Sequence, residues 1–335
     1  MPRQGRINIE GGIYHVMQRG IERRELFKSD ADCQEFVRRF SEGLKDTGHK
    51  CYGWALMPNH FHLLIRAGEK PLSDLMRKLL TGYAVYFNRK YKRSGYLYQN
   101  RYKSILCQED SYLVELVRYI HLNPLRAKIV KDMGELNKYK WSGHSVIVGV
   151  NKAPWQTIGE ILKYFSSNRT EAIRKYINFV EEGVNKGKRE ELTGGGLRRS
   201  AGGKWSGVLA LKKAKEYRQA DERVLGDSGF VEEVLKSARE KVQRKEMLIK
   251  DGWDLRKVDE KVCEKYNFKK GGLSNRSRLN AVSEARKVFM YLANKVLGIS
   301  GKEIAKYLSI TAVAVSKGIR QGEIICGGES HKLIS

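Results

Sequence analysis

The chain has 335 residues, 41% of them hydrophobic, which suffices for packed cores in about two or three domains and argues against wholesale disorder. Lys and Arg number 64 against 38 Asp and Glu, a formal net charge of +26, and such a surface attracts a polyanion, with nucleic acid the expected partner. No apolar run approaches the ~20 residues of a membrane span, and the N-terminus MPRQGRINIEGG has no apolar signal core.

In chain order, residues 13–18 read as a strand. A helix follows from about Asp30 to Lys45, with Phe36, Val37, Phe40 and Leu44 at helical spacing, and Thr47-Gly48 stops it. Residues 50–57 form a second strand, Pro58-Asn59 turns the chain, and His60–Arg66 is a third. Pro71 opens a long helix to about Tyr91, with Leu72, Leu75, Met76, Leu79, Leu80, Tyr83 and Phe87 as its buried stripe. A fourth strand is expected within Tyr96–Leu106, then a helix over about Asp110–Asn123 that Pro124 ends. The order matches a split βαβ fold of α+β class, an antiparallel ferredoxin/RRM-like sheet with helices on one face and an open face for nucleic acid.

Three segments are expected: a strand-containing domain over 1–150, a helical connector and basic Gly-rich linker over 151–207, and a helical region over 208–335. Residues 156–183 read as one or two short helices. Gly183–Gly203 reads as a flexible linker or exposed loop, and everything from Val208 on as helical. In the last segment, Ala285–Leu297, Gly301–Leu308 and Ala312–Arg320 read as helices separated by Gly298-Ile-Ser300 and Ser309-Ile-Thr311. That spacing suits a helix-turn-helix, with a bland helical bundle as the alternative. Thr311, Ala312, Ser316, Lys317 and Arg320 are its candidate DNA contacts. The basic excess runs through the chain, with 26 basic and 15 acidic side chains in residues 1–150 and 38 and 23 in 151–335. Five scattered cysteines without a CxxC pair suit reduced thiols in a cytoplasm rather than a disulfide frame.

Two stretches carry chemistry. In Met57–Ile65 a strand would point His60 and His62 the same way, with Phe61, Leu63 and Ile65 facing a core. Paired imidazoles are half of a metal site, or two surface histidines on an open sheet face. In Asp110–Pro124, Leu113, Leu116, Val117 and Ile120 form the core stripe. Tyr119 and Asn123 then lie one turn apart on its flank, which suits a nucleophile beside a metal ligand or, equally, a core-edge aromatic. His121 lies nearly opposite Tyr119. Lys90–Lys103 interleaves basic and aromatic side chains, as single-strand binding needs; Lys92, Arg93, Arg101 and Lys103 are placed toward DNA, and Arg118 and Arg126 flank the tyrosine.

MPNHFHLLI followed by RYIHLNPLRAKIV resembles the HUH single-tyrosine transposases, and most closely their REP-associated branch. Gly95–Ser104 and Lys140-Trp-Ser142 are similar to that branch too, so the resemblance covers roughly residues 5–150. It implies a divalent metal, Mg²⁺ or Mn²⁺, on His60 and His62 with Asn123 as third ligand, where many relatives carry Gln. It implies Tyr119 as nucleophile, a 5′-phosphotyrosine intermediate, hairpin-bearing single-stranded DNA as substrate, and a cytoplasmic, nucleoid-associated place in a bacterium. Tyr112 is too far upstream for a two-tyrosine site. The rivals are a domesticated, non-catalytic binder of single-stranded or hairpin DNA and an RRM-like RNA-binding protein; the second lacks an RNP-type aromatic signature.

Overall fold

The computed structural model describes residues 6–68, 70–185, 221–269, 271–273 and 280–327. The chain divides into two compact units, Met1–Val234 and Leu235–Ser335.

In the first unit, β1 (Ile13–Arg19), β2 (Lys50–Met57), β3 (His60–Arg66), β4 (Lys103–Cys107) and β5 (Val224–Leu225) form one sheet in the order β2-β3-β1-β4-β5. All pairings are antiparallel except that of β4 with β5. Helices α1 (Asp30–Thr47) and α2 (Leu72–Lys90) cover one face. There Phe36 meets Phe61 of β3 at 4.8 Å between ring centroids, and apolar residues at helical spacing supply the contact.

The opposite face is not open. Helix α3 (Glu109–His121) lays Leu113, Leu116, Val117 and Ile120 across it, in one core with Ile13, Ala55, Leu64 and Ile105 of the strands. The expectation of helices on a single face is corrected here, and the reason is hydrophobicity on both sides of every central strand. Gly53 permits the close approach: a Cβ there would lie 3.7 Å from Val117 Cγ2 and 3.3 Å from His121 Nε2. Short helices α4 (Asn123–Arg126), α5 (Met133–Lys138) and α6 (Gly143–Ile147) follow, then α7 (Ile158–Leu162) and α8 (Arg169–Glu182).

The α7 and α8 segments are core, not connector. Ile161, Leu162, Ala172, Tyr176 and Val180 are buried in the same cluster as α3, and Trp54 Nε1 donates to Gln156 Oε1 at 2.9 Å. The first unit therefore runs past residue 150. Strand β5 adds a short sheet edge where sequence suggested only helix; two residues carry no readable alternation. Most of the Gly183–Gly203 stretch, from 186 on, lies outside the described residues.

Helix α9 (Ser228–Lys250) spans the division between the units. In the second unit, α10 (Leu255–Lys265), α11 (Asn280–Tyr291) with a wide turn through Val296, α12 (Gly301–Tyr307) and α13 (Ala312–Cys326) enclose a core that includes Phe289, Ile304, Leu308 and Val315. Ser300 and Glu303 cap α12 reciprocally, and Thr311 caps α13 through Ala314 N–H. The helices expected from about Ala285 onward are all present. All five cysteines are buried and none forms a disulfide. No described helix is long and apolar enough to cross a membrane.

Candidate active site

Strand register assembles the site. Met17 of β1 lies opposite His62 and Arg19 opposite His60, while Lys103 of β4 lies opposite Met17. Residues directly opposite share a face, so His60, His62, Arg19 and Lys103 all face the side on which α3 packs. Helix α3 brings Tyr119 over the same spot. The ring centroids of His60 and His62 are 5.3 Å apart, and Tyr119 stands edge-on to His62 at 6.0 Å.

These residues line a cavity of about 840 Å³. Its walls also include Asn123, Arg126, Arg101, Gln99 and Asn100. Tyr119 is 7% exposed, with the Arg126 guanidinium 5.4 Å from its ring centroid. Tyr112, on the same helix, packs against the core and is not part of the cavity wall.

Both imidazoles have Nδ1 engaged, but by different partners. Asn59 Nδ2 donates to the Arg23 carbonyl at 3.2 Å, which turns Oδ1 toward His60 Nδ1 at 2.6 Å. A carbonyl oxygen only accepts, so His60 carries its proton on Nδ1 and keeps a lone pair on Nε2. Nδ1 of His62 is likewise occupied, by His15 Nε2 at 2.9 Å. Burial, and then the nearby Arg19, pulls His60 down to about 4. Burial first, then His15, His60 and Arg19, hold His62 well below its ordinary value. Both rings are neutral at pH 7, the form in which histidine ligates.

Asn123 Nδ2 donates to the carbonyls of Tyr119 and Ile120, at 3.1 and 3.3 Å. It thereby satisfies acceptors left over at the end of α3 and leaves the amide oxygen out of those bonds. Among the described residues no three His, Cys, Asp or Glu side chains form a metal cage. Two imidazoles and one amide oxygen lining one cavity suit a cation that keeps open positions for phosphate oxygens and water.

The expected DNA contacts divide. Arg101, Lys103 and Arg126 reach the cavity, whereas Lys92 and Arg93, beyond the end of α2, do not line it. Arg118 is corrected. It is 3% exposed, donates to both Glu115 carboxylate oxygens at 2.6 and 2.7 Å and to the Phe179 carbonyl at 3.1 Å, and stacks on the Phe179 ring. It pins α8 to α3, a role hidden in a sequence that did not show α8 covering it. Thr311, Ser316, Lys317 and Arg320 are exposed on or at the start of α13. Sequence reading missed Arg19, His15 and Asn59. Only Asn59 had a local signal, its place beside His60 in the turn.

The sheet and α3 thus bring a tyrosine, a histidine pair and a basic rim to one cavity. Comparison shows a family likeness: residues 8–123 match the model for IS200-like transposases. Residues 255–321 match the helix-turn-helix of bacterial DnaA proteins. Among solved structures, a REP-associated tyrosine transposase bound to a REP hairpin is 16% identical, over 47% of this chain and 97% of that one, with a TM-score of 0.38. No curated protein matches.

Proposed function

We propose that the protein cleaves and rejoins single-stranded DNA through a covalent bond to Tyr119, and that hairpin-bearing strands are its substrates. The observation that carries this reading is the convergence of Tyr119, His60, His62 and Asn123 in one basic cavity, within the segment that matches the IS200-like transposase model.

His60 and His62, each with Nδ1 occupied, and the Asn123 amide oxygen are the donors that would hold a divalent cation, Mg²⁺ or Mn²⁺. Such an ion supplies grip on the scissile phosphate and stabilises the charge that builds on it. Arg19, Arg101 and Lys103 neutralise the flanking phosphates, and the half-buried Arg126 holds the Tyr119 ring. The Tyr119 oxygen forms a bond to phosphorus as the bond to the 3′ oxygen breaks. The phenol loses its proton and the departing 3′ oxygen gains one, leaving a 5′-phosphotyrosine. Attack by another 3′-hydroxyl reverses these changes and joins strands without ATP. The exposed face of α13 adds duplex recognition, with Thr311, Ser316, Lys317 and Arg320 at the groove.

The test is to incubate the full chain with hairpin-flanked single strands from its own genomic neighbourhood and look for a covalent adduct. Wild type should form one; chelator, His60→Ala or His62→Ala should abolish it while strand binding persists. Adduct formation undiminished by chelator would refute the metal role, and a nucleotide mapped to Tyr112 would refute the nucleophile.

A further inference from the structure

His62 is the most enclosed of the cavity histidines, and its tautomer is not decided by a carbonyl, as that of His60 is. Its Nδ1 faces another imidazole, Nε2 of His15, at 2.9 Å in a buried contact. One of the two nitrogens carries the proton. If His15 donates, the proton of neutral His62 must sit on Nε2, the nitrogen on the other side of the ring. If His15 accepts, His62 holds its proton on Nδ1 and presents an Nε2 lone pair.

His15 is built into the site. It lies in the central strand β1, two residues before Met17, the register partner of His62, and it is 0% exposed. Its ring stacks on His62 at 5.1 Å between centroids and meets the Tyr119 ring edge-on at 5.9 Å. One side chain thus neighbours both His62 and the tyrosine.

We infer that His15 is a positioning residue: as a hydrogen-bond acceptor it locks His62 in the Nδ1–H tautomer, aims its Nε2 lone pair, and sets its distance from Tyr119. The inference deepens the proposed function, because the lone pair matters for the cation proposed above. The tautomer itself is a property of the cation-free chain. Outer partners of this kind change metal affinity by roughly 10- to 100-fold when removed.

The experiment uses the full chain with ¹⁵N-labelled histidine. Ring nitrogen shifts should report Nδ1–H for His62 in wild type. In His15→Phe, which keeps a ring but has no acceptor, the signal should move toward Nε2–H, and titrated Mn²⁺ should bind about 10- to 100-fold more weakly. His15→Gln restores an acceptor oxygen and should return both readouts most of the way, which a purely packing role would not produce. Unchanged His62 shifts in a folded His15→Phe chain would overturn the inference, as would wild-type His62 protonated on Nε2. Should wild type bind no Mn²⁺, the metal reading fails, while the shifts still decide the role of His15.

Discussion

Helix α3 serves two histidine clusters that differ in one respect. Tyr119 turns toward His15, His60 and His62 at a cavity; two residues on, His121 turns into sealed core. There, His121 Nδ1 and His144 Nδ1 both lie on the Tyr176 hydroxyl, at 2.7 and 2.8 Å, and His144 Nε2 meets Asn137 Oδ1 at 2.7 Å. The Asn oxygen accepts, so His144 donates from Nε2 and receives the Tyr176 proton at Nδ1. Tyr176 in turn accepts from His121. Only His121 Nε2 lacks a partner, and it is enclosed: a Cβ on Gly143 would lie 2.8 Å from it. The same residue types make a candidate reaction centre in one place and a polar staple among α3, α6 and α8 in the other. Access to a cavity separates them, not composition.

The two tyrosines give the largest expected contrast. Tyr119→Phe keeps the ring contacts with His15 and His62 and removes only the oxygen proposed as nucleophile. Adduct formation should fall by at least ~10³-fold with stability nearly unchanged. Tyr176→Phe leaves two buried imidazole nitrogens without a partner. At about 1–3 kcal/mol for each orphaned group, it should lower stability by roughly 2–6 kcal/mol yet form adduct where folded. Denaturant titration beside an adduct assay reads both, and a stable, active Tyr176→Phe chain would dissolve the contrast.

A second contrast follows from pH. Burial holds His144 down to about 4, against about 6.5 when unfolded. Between those values the unfolded chain binds more protons, so stability must fall as pH drops from about 6.5 to about 4 and then level off. His121, held well below its ordinary value by burial and then by His144, adds to the same slope. The shift in His144 corresponds to about 3 kcal/mol. His144→Gln removes that share, so its penalty at pH 7 should shrink by about this much at pH 4. A penalty that stays constant across the range would mean that His144 is not held neutral by the fold.

The parts of this arrangement that were legible in sequence share a cause. Period 2 in His60–Ile65 and helical spacing in Leu113–Ile120 are local, so they put the histidine pair on one strand face and Tyr119 beside Asn123. His15 was illegible because its partner is set by the β1–β3 register, Met17 against His62, which no local pattern encodes. Arg118 was misplaced for a related reason. The helical wheel put it near Tyr119 correctly, but α8, 14 residues long and ending at Glu182, arrives from far along the chain to cover it.

Arg118 supplies the smallest contrast, against Arg101. Both are arginines near Tyr119 in chain or in space, and on charge alone each could bind a phosphate. Arg101 is exposed at the cavity wall. Arg118 spends its donors on Glu115 and the Phe179 carbonyl; freeing it would leave the Glu115 carboxylate short of its partner. For single strands each neutralised phosphate contributes about 0.7 to the slope of log affinity against log salt. Arg101→Gln should therefore flatten that slope by about 0.7 and weaken binding modestly at low salt. Arg118→Met, which keeps the stem over Phe179, should leave the slope alone and show its effect in the unfolding midpoint. Equal slope changes in the two variants would mean that α8 releases Arg118 when DNA binds, and the distinction between a rim arginine and a clamp arginine would fall.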